Sequence, residues 1–452
     1  MGLSITHVTA LGLAAAGQEE AIEAPEPFNH ENMMKYYKQE EGCQAGDLLP
    51  VELWWRIIKD FTPKEKRPLL GVSAGLREIT QNARVKLDLR DYRRETREQL
   101  LTRIDSFIHN FKDIRKLNLS YCRKLTAEDI QTIVAKLPKL THLKLRDCKQ
   151  LTAENIQAIV NQAPKLTHLN LPGYSQLTTL SLQAPKLIEL DLHYCEKLTT
   201  FSIKAPNLTH LDLGDCNQIT AENIQAIVNQ APHLTHLKLR GCDQLTAEDI
   251  QAIIAQASNL TYLNLNWCTQ LTTLAIQAPK LTHLDLSFCD QLTTLSIQAP
   301  KLKHLNLAYC KKLTAEDIQA IISKPPNLTH LNLAYCDQLS TLSLQAPSLT
   351  HLDLGCCKKL TTLSLQTPKL TDLDLRECDK LTAEDIQAIV AQNPNLTHLN
   401  LSFCEQPTAE DIQTIINQAS NLKHLNLSYC EQLTQAFVVG LREQYPGVKI
   451  VR

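Results

Sequence analysis

LTHLKLRDC, residues 140–148, decides how this chain folds. Leu140, Leu143, Leu145 and Cys148 set the spacing L-x-x-L-x-L-x-x-C. It returns as Leu396, Leu399, Leu401 and Cys404, and again as Leu422, Leu425, Leu427 and Cys430. Aligned on its last position, the motif recurs at 122, 148, 174, 195, 216, 242, 268, 289, 310, 336, 357, 378, 404 and 430. Thirteen of these positions are Cys and the exception is Tyr174. Leu143 and Leu145 are two residues apart, so they leave a short strand on the same side, with Lys144 between them on the other. One unit cannot bury its leucines alone. Stacking successive units buries them and pairs their strands, which makes the chain an α/β solenoid of about fifteen units.

Unit length carries the next layer of information. From position 122 the spacings run 26, 26, 21, 21 and repeat once, then 26, 21, 21, 26, 26. A 26-residue unit has room for a return helix. In Leu125 to Val134, Thr126 is the expected N-cap, Asp129 sits at N3, and Ile130, Ile133 and Val134 face inward. The 21-residue unit returns through sequences such as LTTLSLQAPKL, with Leu177, Leu180 and Leu182 inward. It is too short for a two-turn helix, so a short extended segment or turn is expected. Helices need about 8–10 Å between axes and strands about 4.8 Å, so curvature is expected to be stronger across the helical units. At the end, Val448 and Ile450 alternate as a closing edge strand.

The bulk numbers exclude several classes. With 46 basic and 48 acidic residues the net charge is −2, which gives no bulk attraction to nucleic acid or anionic membrane. Fifteen cysteines are present, but thirteen hold one inward repeat position, which fits buried reduced thiols and a cytoplasmic setting. No apolar run reaches a membrane span, so stable membrane insertion is not expected. Met1-Gly2 with Thr6 meets a loose N-myristoylation pattern, without a polybasic run behind it. No zinc spacing, phosphate loop or unique acid–base pair occurs, so no cofactor, metal or catalytic residue is expected.

Four regions follow from the pattern. Residues 1–45 are expected to form a flexible N-terminal segment with few periodic apolar positions, 46–80 a small helical domain, 81–111 an irregular first repeat, and 112–452 the solenoid with its C-terminal cap. In the second region Leu53, Ile57 and Phe61 recur at fourfold spacing beside Trp54 and Ile58, and Leu49-Pro50 opens the stretch. Leu69, Leu70, Val72 and Leu76 mark a further helical stretch. In the third, Val85, Leu87 and Leu89 alternate, Tyr92 stands where later units have Cys, and Leu100, Leu101, Ile104, Phe107 and Ile108 form a helical face.

The run LPVELWWRIIKDFTPKEKRPLLGVSAGLREI resembles an F-box, through Leu49, Pro50, Glu52, Leu53, Ile57, Phe61, Pro63, Leu69, Val72 and Arg77. Ser73, Leu76, Pro68 and Gly71 depart from that pattern. The resemblance implies a Skp1-like adaptor as partner, contacted by Leu49, Pro50, Leu53, Ile57, Ile58 and Phe61, and through it a cullin–RING ubiquitin ligase. The alternative is a helical cap that only protects the first repeat. The Cys-ended repeat is similar to the cysteine-containing leucine-rich repeats of F-box receptors, whereas the 21-residue units look closer to shorter bacterial repeats. A bacterial effector resembling a eukaryotic ligase subunit, acting in host cytoplasm, would combine the two. The implied function is a non-catalytic substrate receptor; the alternative is a repeat scaffold with no ligase role.

The outward positions bear on recognition. Ten histidines hold one strand position: His142, His168, His210, His236, His283, His304, His330, His351, His398 and His424. A Thr-His pair suited to sheet packing explains them without a metal. The residue before each Cys is aromatic in a run, Trp267, Phe288, Tyr309 and Tyr335, with Asn264, Asn266, Asp285 and Asn306 close by as candidate polar groups for substrate selectivity. The aromatics are candidate anchors for a protein substrate, or else pack over the neighbouring turn. The middle-strand charges are mixed in sign, Lys144 and Lys238 against Asp191, Asp212, Asp285, Asp353 and Asp374, which favours a protein ligand over nucleic acid.

Overall fold

The computed structural model describes residues 85–452. The expectations for the N-terminal segment, the F-box-like run and its adaptor-facing residues lie outside the described residues. The chain divides into two compact units, one running to Gln150 with residues 161–166, the other made of residues 151–160 and 167–452.

The described part of the first unit begins with the irregular repeat. The strand Val85–Asp88 leads through a single 3-10 turn to the helix Arg97–Asn110, whose Leu100 and Ile104 are fully buried. Thr96 and Gln99 close a capping box at its start, satisfying two orphan amides of the first turn. Strands Val85–Asp88, Ile114–Asn118 and His142–Lys144 pair in parallel, with Leu87 opposite Leu117 and Leu117 opposite Leu143. Tyr92 holds the Cys position of this repeat, but it is only half-buried and carries the Arg103 guanidinium 4.0 Å above its ring. Ring size does not decide this, because Tyr174 holds the same motif position fully buried.

In the second unit, strands from His168–Asn170 to Lys449–Val451 pair in chain order, all parallel. Each pairing sets the central leucine against that of the next repeat, as in Leu305 with Leu331 and Leu331 with Leu352, except the last, where Leu425 meets Ile450. These leucines are almost fully buried.

The returns follow unit length. The 26-residue units carry helices such as Ala247–Gln256, Ala315–Ile322 and Ala383–Gln392. Thr246, Thr314 and Thr382 cap them in boxes with Asp249, Asp317 and Asp385. Ile318, Ile321 and Ile322 of one helix turn inward. The 21-residue units return through strands, and each consecutive pair of returns forms its own two-stranded parallel sheet: Thr179–Gln183 with Thr200–Lys204, Thr273–Gln277 with Thr294–Gln298, and Thr341–Gln345 with Thr362–Gln366. The expected short extended segment is therefore a regular strand with a partner. The closing strand Lys449–Val451 pairs with His424–Asn426.

The cysteine stitches one turn to the previous one. Cys268 Sγ donates to the Leu239 carbonyl at 3.3 Å, and Cys289 Sγ to the Leu265 carbonyl at 3.3 Å. Burial pushes the thiols of Cys268, Cys310, Cys357 and Cys404 up to about 12, so they stay protonated and inert. A second stitch comes from asparagine: Asn259, Asn395 and Asn421 each donate an amide to the carbonyl of a proline in the preceding repeat, at 2.8 Å.

Cap and core contribute unequally. Removing the Thr314 hydroxyl by Thr314→Ala is expected to cost about 1 kcal/mol. Leu331→Ala empties space between two flanking leucines and is expected to cost about 2–5 kcal/mol. Chemical denaturation followed by circular dichroism compares the two; equal losses would contradict the leucine column as the dominant support.

Candidate functional site

Parallel register converts each outward sequence position into a column. Four columns cross the repeat strands of the second unit: mostly histidine, then Asn or Asp except at Lys238, then a position that is small in most repeats but is His193, Arg240, Asn266 and Arg376 in others, then the turn residue before Cys.

The histidine column is a stack. Ring centroids lie 4.1 Å apart between His283 and His304, His304 and His330, and His330 and His351. Glu189, Tyr262 and Asp372 interrupt the column at their own strands. Where Thr precedes His, its Oγ1 meets the ring: Thr282 to His283 Nδ1 at 2.8 Å, Thr329 to His330 Nδ1 at 2.9 Å, and Thr350 to His351 Nδ1 at 2.8 Å. The same hydroxyls donate to a backbone carbonyl of the preceding repeat, for example Thr350 Oγ1 to the Thr329 carbonyl at 2.9 Å. The Thr-His pair thus ties neighbouring strands together. Burial and neighbouring imidazoles hold His304 at about 4, and burial also lowers His236, His283 and His330.

The second column closes the strand ends. Asp285 Oδ1 accepts from the Ser287 amide at 3.0 Å, Asn306 Oδ1 from Ala308 at 3.1 Å, and Asp353 Oδ1 from Gly355 at 2.9 Å. These are Asx turns, for which Asn and Asp have the required acceptor two residues back. Asn264 does the same for Asn266 at 2.9 Å, and its amide reaches Asp285 Oδ2 at 3.3 Å. One oxygen each of Asn264 and Asp285, which sequence reasoning assigned to substrate selectivity, is therefore committed to the turn. Asn266 Oδ1 is buried without a hydrogen-bond partner.

The turn column lies in the left-handed region, with φ of 62° at Trp267, 63° at Phe288, 62° at Tyr309 and 60° at Tyr335. Non-glycine residues pay roughly 1–2 kcal/mol there. Stacking returns a comparable amount, about 0.5–1.5 kcal/mol per aromatic pair. Trp267, Phe288, Tyr309 and Tyr335 form one continuous stack, with centroids 4.3, 4.2 and 4.1 Å apart. Trp267 leads it, 42% exposed, with Arg240 6.0 Å above its ring. Phe403 and Tyr429 form a second stack at 4.4 Å. The sequence-predicted aromatics are thus brought together, each ring stacked on that of the neighbouring turn.

Asp191, His193 and Asp212 are the described residues that bring three ligand-type atoms within metal-binding reach. Their chemistry is already internally satisfied: His193 Nδ1 lies 2.5 Å from Asp191 Oδ1, and Lys238 Nζ lies 3.1 Å from Asp212 Oδ2. Sequence reasoning missed a different grouping. Asp372 stands where other repeats have His, and lies between His351 Nε2 at 3.4 Å and His398 Nδ1 at 3.3 Å. The visible signal was the change from THLDL to TDLDL at residues 371–375.

Comparison with known proteins agrees with this repeat architecture. A family described as the leucine-rich repeats of the FBD-associated F-box protein At5g56370 matches residues 75–227. The leucine-rich-repeat domain of At1g61320/AtMIF1 matches residues 227–314 and 283–394, and a general leucine-rich repeat matches residues 392–405. The chain is a leucine-rich-repeat protein. That fold is generally a non-catalytic scaffold for protein interaction. A search of curated proteins by sequence finds no match. Among solved structures, the yeast Rad7 and Elc1 complex matches at 19% identity, covering 100% of this chain and 98% of that chain, with a TM-score of 0.41. The TLR13–ssRNA13 complex matches at 17% identity over 71% and 58% of the two chains, with a TM-score of 0.29. LegL7 from Legionella pneumophila matches at 14% identity over 80% and 95%, with a TM-score of 0.28. At these identities and scores no activity or partner carries over. Among the described residues no helix is long and apolar enough to cross a membrane.

The imidazole stack makes stability depend on pH with a definite sign. A histidine held below its ordinary pKa contributes stability that is whole above about pH 6.5 and is lost as pH falls toward its folded value. Burial raises Asp353, which acts with the opposite sign as pH falls. Replacing His283, His304 and His330 together by Gln is expected to reduce the loss of thermal stability between about pH 7 and pH 5. Melting curves at the two pH values measure it; a variant that loses as much as the parent would refute the assignment.

Proposed function

We propose that this chain is the non-catalytic recognition subunit of a cullin–RING-type ubiquitin ligase. The F-box-like run, through Leu49, Pro50, Leu53, Ile57, Ile58 and Phe61, binds a Skp1-like adaptor. The strand face and aromatic stack of the repeats bind a protein substrate. Joining the two in one chain raises the effective concentration of substrate near the ubiquitin-loading subunits. The observation that carries the reading is the gap-free F-box-like run immediately before a leucine-rich-repeat array. The match of residues 75–227 to repeats named after an F-box protein supports it.

Purified Skp1 is expected to co-elute with the intact chain, and Leu53→Asp with Ile57→Asp is expected to abolish co-elution. Absence of Skp1 binding by the folded parent would reject the ligase reading and leave a repeat scaffold.

Trp267→Ala with Phe288→Ala is expected to weaken a partner bound through the repeats by roughly tenfold or more, as for paired aromatic anchors. Circular dichroism should show the same folded array. Unchanged partner affinity would limit the aromatics to packing over their turns.

A further inference from the structure

A groove of about 570 Å³ crosses the strands from Tyr262–Asn264 to His424–Asn426, between the histidine and Asx columns. Its charge is of one sign. Asp285, Asp353, Asp372 and Asp374 line it, and its lining includes no Lys or Arg. Elsewhere on this unit two carboxylates are compensated: Asp212 pairs with Lys238 at 3.1 Å, and Asp215 with Arg240 at 3.6 Å. Arg376, outside the groove lining, pairs with Asp374 Oδ2 at 3.9 Å, whereas among the described residues Asp285, Asp353 and Asp372 have no Lys or Arg ion pair.

Hydrogen-bond polarity points the same way. The Thr350 hydroxyl donates its proton to a carbonyl, so it accepts from His351 Nδ1, and His351 Nε2 is left as an acceptor. That Nε2 faces Asp372 Oδ2 at 3.4 Å. Asp372 Oδ2 already takes the Thr371 hydroxyl at 2.6 Å, and a donor entering between it and His351 Nε2 meets two acceptors. Thr282 and Thr329 impose the same tautomer on His283 and His330. The walls are therefore rich in acceptors and carry negative charge.

We propose that this groove binds an extended, Arg- or Lys-bearing segment of a protein partner, with cations seated at Asp285 and at the Asp353, Asp372 and Asp374 cluster. The proposal rests on reading the strand face as a protein-recognition surface, and it specifies the partner's chemistry. Asp285 and Asp374 are four strand steps apart, about 19 Å at the usual strand spacing. An extended segment spans that distance in about six residues. The favoured segment carries two basic sites at that separation.

Fluorescence anisotropy on the full chain tests this. The probe is a labelled Gly/Ser peptide of about twelve residues with two Arg-Arg pairs about six residues apart. Binding is expected, weakening with added salt, while the same peptide with Glu-Glu pairs does not bind. Asp353→Asn, Asp372→Asn and Asp374→Asn together are expected to weaken it at least about tenfold. Asp212→Asn, at the same strand position outside the groove, should leave it unchanged. Should the triple variant misfold, Asp372→His, which restores the residue of neighbouring repeats, is expected to weaken binding as well. No binding by the folded parent, equal binding of the Glu peptide, or full affinity in the folded variants would overturn the proposal. Peptide binding without Skp1 capture supports the groove while rejecting the ligase reading; Skp1 capture without peptide binding overturns the groove alone.

Discussion

Leucine set opposite leucine between successive parallel strands is the constraint on which the second unit depends. Leu305, Leu331 and Leu352 lie in one line because the strand pairing puts them there. A one-residue slip would turn every leucine outward and every histidine inward, so the register is strongly specified. The cysteine reinforces it. A thiol is small enough to be buried at the turn and still donates to the carbonyl of the preceding repeat.

The same register creates the outward columns. Stacked imidazoles, Asx turns and stacked aromatics were not brought together by separate long-range contacts. Each is one sequence position repeated at the strand interval. Their energies are mixed, since a left-handed turn residue is strained and its stacked ring offsets the strain. Exceptions to a column therefore carry the information. Asp372 places a carboxylate within a row of imidazoles, and Cys356 takes the next turn position after Tyr335, where the aromatic stack ends. On this surface, recognition is written in departures from the repeat.

Much of the array was legible because its signals are local. Thr314 and Asp317 lie three residues apart and form the box that spacing suggested. Leu180 and Leu182 alternate over a return too short for a helix, and the segment is a strand. The pairing of those returns into separate two-stranded sheets was less visible, because it requires two short units in succession. Selectivity was harder still. Asn264 and Asp285 read as free polar groups, yet each turns an oxygen back to an amide two residues on, a contact that depends on backbone shape.

The amino-acid sequence by itself determined the repeat, its two lengths, the buried leucine and cysteine positions and the identity of the outward columns. Periodicity alone dictates which side chains share a face. Tertiary structure decided how those columns interact: ring stacking at 4.1 Å, hydroxyls directed to imidazole nitrogens, and a groove whose carboxylates lack a cationic lining. These depend on distances between residues about one repeat apart in the chain, which only stacking brings to a strand spacing.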